Sequence, residues 1–257
     1  GGGGALKEGI EAVERELAAG KEFKLLDFSE IRDDGYYTNP YLCGTVVPDD
    51  QMVELSGQEL PDAIRALESY MKVEFHGLLS IEYGGGNTGV AMAAAAHMGK
   101  YMVDADAAGR AVPELQFSTY YIREQPIAPF SVSTIYGDAV IVQKVADDAR
   151  AEALSRFMAV GSGGLVGMAD HPIRGDRLRT SVIPNALSYA EQVGRARRLA
   201  CESGGDPIQA ILGAGGGQLL YQGTVTPDTH WEIKDGFTLG DIYLTDQADG
   251  GLVRIWY

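Results

Sequence analysis

Apolar residues recur at helical spacing near the start of the chain and then gather into short runs. Leu6, Ile10, Val13 and Leu17 share one face of a 3.6-residue period, which is typical of an amphipathic helix. The runs that follow are short, aromatic or β-branched, and bounded by turn residues, as expected of buried strands. The predicted elements are a helix over residues 5–19, strands at 23–28 and 41–47, and a helix that begins at Pro61.

The most informative pattern lies between residues 78 and 116. Two apolar runs, 78–82 and 101–106, each end in acidic residues, and the alanine-rich segment 90–98 between them is typical of a helix. This order predicts a βαβ unit with two parallel neighbouring strands. The pattern therefore favours the α/β class with a largely parallel sheet.

Later segments change in character. Residues 131–135 and 139–145 flank a Tyr-Gly-Asp turn and predict a hairpin, and a helix over 149–160 is followed by glycines. We place a domain boundary there, with an α/β domain at 1–165 and a β-rich domain at 166–257. In the second domain we expect a strand at 177–183, a helix at 184–203, short strands or turns near 208–212 and 218–223, and β segments from Thr224. Because both ends of the chain interrupt predicted elements, we expect the β-rich domain to be incomplete.

Composition narrows the functional classes. The chain has 257 residues and a net charge of −15, which disfavours nonspecific binding to nucleic acid or to an anionic membrane. We find no long apolar span and no leader peptide, and two distant cysteines do not form a disulfide framework. We therefore expect a cytoplasmic protein with a small-molecule substrate, without nucleic-acid or membrane partners. The sequence is compatible with a homo-oligomer.

Three carboxylates fall at the ends of the two predicted strands. Glu82 follows the first strand, and Asp104 and Asp106 close the second. Because ligands of open α/β sheets bind beyond the carboxyl ends of the strands, we expect these acids to share a metal, a proton or one polar ligand. The alternative is structural: Asp106 caps the turn after its strand, and Glu82 binds backbone N–H groups of the glycine loop. As a catalytic set we name Glu82, Asp104, Asp106, Arg110 and Glu114.

A glycine run lies directly after Glu82. Gly84, Gly85, Gly86 and Asn87 permit close backbone approach, and we expect them to form the wall of a site for a small, mostly neutral ligand. Neither a dinucleotide fingerprint nor a P-loop lysine is present, so no nucleotide cofactor is expected. Arg110 binds a substrate carboxylate or pairs with Glu114 or the nearby acids.

The remaining candidates are a cysteine and a histidine. Cys43 lies in an apolar run beside glycine and is expected in the substrate site as a buried thiol. His171 precedes a proline in a predicted loop and is placed to join Asp104 and Asp106 in a metal site. An oxygen-rich set favours magnesium or manganese, and the added histidine admits zinc.

Several stretches occur in an order that resembles the S-methyl-thiohydantoin desulfurase family. The resemblance covers nearly the whole chain, and its most specific stretch is the Asp-Ala-Asp to Pro-Glu-Leu-Gln segment, residues 104–116. The other stretches are the opening glycines, residues 82–87, residues 184–188 and residues 208–212.

The resemblance implies a three-layer α/β sandwich followed by a β-rich domain. It also implies chemistry on a hydantoin-like five-membered ring, with removal of sulfur at C2. Members of the family occur beside or fused to hydantoinase or oxoprolinase subunits, so a hydantoinase-type protein is an expected partner. Two alternatives stay open: a noncatalytic subunit that binds such a partner, and a small-ligand sensor that uses the same cleft without chemistry.

Overall fold

Eight strands of the first part of the chain form one mixed sheet. The computed structural model describes residues 4–44, 55–234, 237–246 and 250–257. The strand order is β1-β4-β3-β2-β7-β5-β6, with β8 paired to β4. The first four strands of this order are parallel to one another, and the remaining pairings are antiparallel. The strands are β1 Lys24–Leu26, β2 Tyr36–Gly44, β3 Phe75–Ser80, β4 Tyr101–Asp106, β5 Phe130–Ser133, β6 Ala139–Val142, β7 Leu165–Arg174 and β8 Ile183–Pro184.

The predicted βαβ unit is confirmed. Strands β3 and β4 pair in parallel, with Gly77 opposite Tyr101 and Ser80 opposite Asp106. Their connection is α3, Gly86–Met98, which ends at Gly99 in the left-handed conformation that glycine adopts without strain. The predicted hairpin is confirmed as well, because β5 and β6 pair in antiparallel register.

Helices cover both faces of the sheet. On one face, apolar residues of α2 and α3 pack against Leu78 and Met102. On the other face, Leu79 and Val103 contact a second core that includes Ala151 of α5. Because neighbouring strand residues point to opposite faces, the adjacent residues Leu78 and Leu79 pack into different cores. The helices of this part are α1 Leu6–Ala18, α2 Glu59–Met71, α3, α4 Thr119–Ile122, α5 Asp148–Val160 and α6 Gly175–Leu178.

Glycines allow α1 and α3 to pack with their backbones in contact. A Cβ on Gly9 would overlap the carbonyl oxygen of Gly85, and a Cβ on Gly89 would overlap the backbone of Gly9. A Cβ on Gly85 would lie 2.6 Å from the Leu6 backbone. Gly85 of the glycine run therefore serves helix packing, together with Gly9 and Gly89. The first three glycines of the chain lie outside the described residues, as does the end of the predicted 41–47 strand.

A second compact unit follows the first. The units comprise Gly1–Ser188 and Tyr189–Tyr257. The second holds an antiparallel sheet that begins at Thr224, as predicted. Its elements are most of α7 Ala186–Ser203, together with α8 Pro207–Gly215, β9 Thr224–Val225, β10 His230–Lys234, β11 Phe237–Thr245 and β12 Leu252–Trp256. The fold class, α/β with a separate small β-sheet, is confirmed, and the division after residue 165 stays a prediction.

Two secondary-structure predictions are wrong, the strands or turns at 208–212 and the strand at 177–183. Residues 208–212 lie in α8, because Asp206 caps its N-terminus and Pro207 occupies the first turn. Residues 177–183 form the end of α6 and a turn, and only Ile183 enters a strand. In the part of the chain that the structure describes, no helix combines the length and apolarity needed to cross a bilayer.

Candidate functional site

Asp106 organises the loops that follow β3 and β4. Its Oδ1 accepts hydrogen bonds from the backbone N–H groups of Glu82 and Ala108, and its Oδ2 accepts from those of Tyr83 and Gly109. Burial raises the pKa of this carboxyl, and the four N–H donors oppose the shift. The structural reading of Asp106 as a turn cap is confirmed, while a catalytic role stays a prediction.

Asp104 holds the start of α7. Its Oδ1 accepts from the backbone N–H groups of Leu187 and Ser188 at 2.8 and 3.1 Å, and its Oδ2 accepts from the Ser188 hydroxyl. The side chain is buried. These contacts give Asp104 a structural function, so its predicted catalytic role remains untested.

Glu82 is held in a conformation that few non-glycine residues adopt. Its φ is +58°, in the left-handed region. Oε1 accepts the Val112 N–H at 2.7 Å, and Oε2 accepts from Asn87 Nδ2 at 3.3 Å. Burial raises the pKa of this carboxyl. Glu82 therefore has a fixed position and an elevated pKa, which are properties of a general base or acid.

Asn87 connects Glu82 to the central strand. It lies in the first turn of α3, and its Oδ1 accepts the Leu42 N–H. Thr88 Oγ1 accepts the Gly84 N–H, so a side chain of α3 fixes the start of the glycine run. Within the described residues, Gly84, Gly85 and Gly86 do not line the cleft described next, and their predicted substrate contact stays a prediction.

A small cleft of about 160 Å³ opens beside Glu82. Ligand pockets for drug-sized molecules commonly measure roughly 300 to 1,000 Å³, so this volume suits a single small ring. A larger cavity of about 310 Å³ lies among α1, α2 and α3 and contains none of the predicted site residues. The cleft is lined by Tyr41, Leu42, Cys43, Gly44, Ile81, Glu82, Val112, Pro113, Glu114, Leu115, Glu152 and Arg156.

The predicted residues Cys43, Glu82 and Glu114 meet in this cleft. Burial, together with the nearby carboxylates, raises the pKa of the Cys43 thiol to about 12. The thiol is therefore protonated at neutral pH, which suits a contact residue better than a nucleophile. Glu114 is half-buried, and its Oε2 accepts from Gln116 Nε2 at 2.5 Å.

Arg110 lies outside the cleft. Its side chain is exposed and donates from Nε to the adjacent Ala111 carbonyl at 2.9 Å. In the described ranges it forms no ion pair with Glu114 or with the strand-end acids. The positive charge that lines the cleft belongs to Arg156, whose Nε donates to Glu152 at 2.5 Å and whose Nη1 donates to the Gly44 carbonyl.

The three predicted metal ligands do not form one donor set. Asp104 and Asp106 are occupied by the N–H and O–H donors described above, and His171 lies on β7 between Asp170 and Asp148. Among the described residues, no group of three or more His, Cys, Asp or Glu side chains is arranged to hold a metal. The residues therefore do not fit a divalent metal at this position, and metal binding stays an unsupported prediction.

Four residues near the cleft were missed by the sequence analysis. Tyr41, Glu152 and Arg156 line it, and Asp170 lies behind Tyr41. Glu152 and Arg156 are four residues apart in α5, a spacing that brings two side chains together on a helix. A charged pair at this spacing beside small residues was the sequence signal that could have indicated them. Tyr41 and Asp170 gave no local signal, because their contact joins residues 129 positions apart.

The chain is similar in structure to a protein that has been solved by crystallography. One solved structure, a crystal structure of a protein from Chromobacterium violaceum, is 24% identical, with a TM-score of 0.72 over 100% of this chain and 72% of that chain. At this identity the likeness supports the fold alone. No curated protein matches.

Two family models together span almost the whole chain. Residues 1–144 match the model described as S-Me-THD-like, N-terminal domain, and residues 146–257 match S-Me-THD-like, C-terminal domain. This agrees with the resemblance found in residues 82–87 and 104–116. The chain belongs to the S-Me-THD-like family.

Proposed function

We propose that this protein is a hydrolase that removes sulfur at C2 of a thiohydantoin-like cyclic amide. The observation that carries the proposal is the position of Glu82, a half-buried carboxylate with a raised pKa, at the wall of a cleft sized for one small ring. The name of the family to which the chain belongs points to the same ring chemistry.

In the proposed reaction, Glu82 accepts a proton from a water molecule as its oxygen attacks C2. The C2–S bond then breaks, and the proton held by Glu82 passes to the departing sulfur, so that water and an S-methyl-thiohydantoin give a hydantoin and methanethiol. The attack builds negative charge on the ring, and Arg156 is the cation that lines the cleft. Cys43 contacts the ring as a neutral thiol.

The test is the release of thiol from an S-methyl-thiohydantoin by the purified protein. The reaction is followed with a thiol-reactive dye, and the product is analysed by mass spectrometry in ¹⁸O-labelled water. We expect one ¹⁸O atom in the hydantoin and a loss of turnover in Glu82→Gln. Thiol release no faster than the uncatalysed rate would contradict the proposal.

The same experiment separates the noncatalytic alternatives. A ligand sensor predicts binding of a hydantoin or thiohydantoin without thiol release. A noncatalytic subunit predicts no turnover alone and a stable complex with a hydantoinase-type protein, which size-exclusion chromatography of the mixture would detect.

A further inference from the structure

A row of buried polar side chains runs from the cleft into the protein along β2 and β7. Asn39 and Tyr41 lie on the same face of β2 as Cys43, because alternate strand residues share a face. Asp170 is the β7 partner of Asn39 in the antiparallel register. Tyr41, Asp170 and His171 are 4%, 1% and 2% exposed, so this row is almost completely removed from water.

Tyr41 connects this row to the cleft. Its hydroxyl donates to Asp170 Oδ2 at 2.7 Å, and Tyr41 is itself part of the cleft wall. A carboxylate accepts but does not donate, so Asp170 fixes the direction of the Tyr41 proton. The Tyr41 oxygen retains its lone pairs for another donor. A tyrosine oxygen held in this way has the capacity to accept a hydrogen bond from an N–H group.

Behind Asp170 the polar row continues to His171. Its Nδ1 lies 3.0 Å from Asp170 Oδ1, its Nε2 lies 3.9 Å from Asp148 Oδ2, and its ring stacks on Tyr120 at 4.4 Å. The 3.9 Å separation is too long for a hydrogen bond, and the 3.0 Å approach to Asp170 is an ion-pair distance. Within the described residues both ring nitrogens and Asp170 Oδ1 are without a hydrogen-bond partner.

The unpaired polar atoms of Asp170 and His171 lower the free energy of unfolding. Buried polar atoms without partners destabilise the folded state, and His171 also has a φ of +41°, which a non-glycine residue rarely adopts. Residues held in sparsely populated conformations cluster at functional sites. Glu82, on the other side of the cleft, is in the same backbone region. The unpaired polar atoms of Asp170 and His171 behind Tyr41 are therefore a second feature that indicates a functional role for the cleft.

We propose that the Tyr41 oxygen accepts a hydrogen bond from a ring N–H of the ligand, and that Asp170 and His171 are positioning residues that hold Tyr41 for this contact. The inference rests on the proposed function, because it names the feature of the cyclic amide that the cleft recognises. It predicts a preference for rings with a free N–H over their N-methylated analogues.

The first test compares Tyr41→Phe with wild type by calorimetry. The ligands are a thiohydantoin and its analogues methylated at each ring nitrogen in turn. We expect Tyr41→Phe to bind the unmethylated ring about tenfold more weakly, the size of effect that one hydrogen bond provides. One N-methylated analogue should bind both proteins equally. An unchanged affinity for the unmethylated ring, or equal losses for all ligands, would overturn the inference.

Tyr37→Phe is the matched control. Tyr37 lies on the same strand, is fully buried, and its hydroxyl accepts the Arg32 N–H away from the cleft. It loses a hydrogen bond and a hydroxyl as Tyr41→Phe does, so its ligand affinity should equal that of wild type. A loss of affinity in Tyr37→Phe as large as that in Tyr41→Phe would show a merely structural effect and would overturn the inference.

The second test reads His171 directly by ¹⁵N side-chain NMR. His171→Asn assigns the signal, because asparagine tolerates a positive φ. We expect the imidazole resonances to shift in Tyr41→Phe and on addition of the unmethylated ring to wild type, but not in Tyr37→Phe. Resonances that remain constant on ligand binding would overturn the positioning role.

The two tests together separate this inference from the proposed function. Ligand binding with turnover but no effect of Tyr41→Phe overturns the inference alone. If wild type neither binds nor converts a cyclic amide, both fail, whether or not Tyr41→Phe shifts the His171 signal.

Discussion

The Glu82 carboxylate accepts the backbone N–H of Val112 at 2.7 Å, and this bond joins two loops that are 30 residues apart in the chain. Val112 and Glu82 both line the cleft. The same side chain that we assign to proton transfer therefore also fixes the opposite wall. A glutamine at this position retains an acceptor oxygen for Val112 but cannot accept a proton as a carboxylate does. A Glu82→Gln variant therefore separates the proposed proton transfer from the structural contact.

Glu82→Gln should reduce turnover by about 100- to 10,000-fold, the range that general acid–base catalysis provides. The fold should be retained, because Gln keeps the shape and the Oε1 acceptor for Val112, and only the 3.3 Å hydrogen bond from Asn87 Nδ2 is lost. Steady-state kinetics and circular dichroism measure the two effects. Glu14→Gln, on the exposed surface of α1, is the control and should behave as wild type. Wild-type turnover in Glu82→Gln would remove Glu82 from the mechanism.

The pH profile of wild type should show the raised pKa of Glu82. The base is active when ionised, so turnover falls as pH falls through this pKa, which burial places above that of an ordinary glutamate. The acid limb should therefore lie at higher pH than a solvent-exposed glutamate would give, and should be absent in Glu82→Gln. An identical acid limb in both proteins would assign it to another group.

Asp106→Asn and Asp104→Asn should differ in stability. At Asp106 each oxygen accepts two backbone N–H groups, so an amide nitrogen leaves two donors unpaired and lowers the free energy of unfolding by about 2 to 4 kcal/mol. At Asp104 the amide keeps Oδ1 for Leu187 and Ser188, and its nitrogen donates to the Ser188 hydroxyl. Urea unfolding should show a loss of under about 1.5 kcal/mol there.

Activity of Asp104→Asn tests the catalytic assignment that the sequence suggested. Turnover should stay within about threefold of wild type, because Asp104 lies outside the cleft and asparagine keeps the contacts with the start of α7. A decrease of 100-fold or more with an unchanged fold would restore Asp104 to the mechanism.

The two cysteines should differ in reactivity. With a pKa of about 12, roughly one Cys43 in ten thousand is a thiolate at pH 8. Cys201 is exposed. Brief treatment of the native protein with iodoacetamide should therefore modify Cys201 alone, as shown by peptide mass spectrometry, and denaturation should expose both. Faster modification of Cys43 would indicate a thiolate and a nucleophilic role.

Gly9→Ala should destabilise the protein by about 1 to 3 kcal/mol, the cost of overpacking a close contact. The added Cβ overlaps the Gly85 carbonyl oxygen. Gly194→Ala is the matched control: it also lies inside a helix, but its Cβ would meet no atom within 4 Å. That variant should gain about 0.5 to 1 kcal/mol, because alanine favours the helix. Thermal unfolding measures both, and equal effects would contradict the close packing of α1 on α3.

Local patterns in the sequence determined the elements of the parallel layer. The apolar runs at 78–82 and 101–106, the alanine-rich helix between them and the acids at the strand ends define the βαβ unit, because helix and strand periods are properties of neighbouring residues. The turn-capping reading of Asp106 is local as well, since two of its four donors lie within three residues. The family could be recognised from the order of such segments.

Tertiary structure decided which of the candidate residues meet. Helix α5 brings Glu152 and Arg156 to the cleft beside Cys43. Strand β7 pairs with β2 from more than 120 residues away and places Asp170 at the Tyr41 hydroxyl. No local period encodes that pairing. Tertiary contacts also place His171 near Asp148 of α5, and donors at the start of α7 occupy the oxygens of Asp104. A carboxylate's partners depend on the chain segments that burial brings to it, which the sequence around it does not specify.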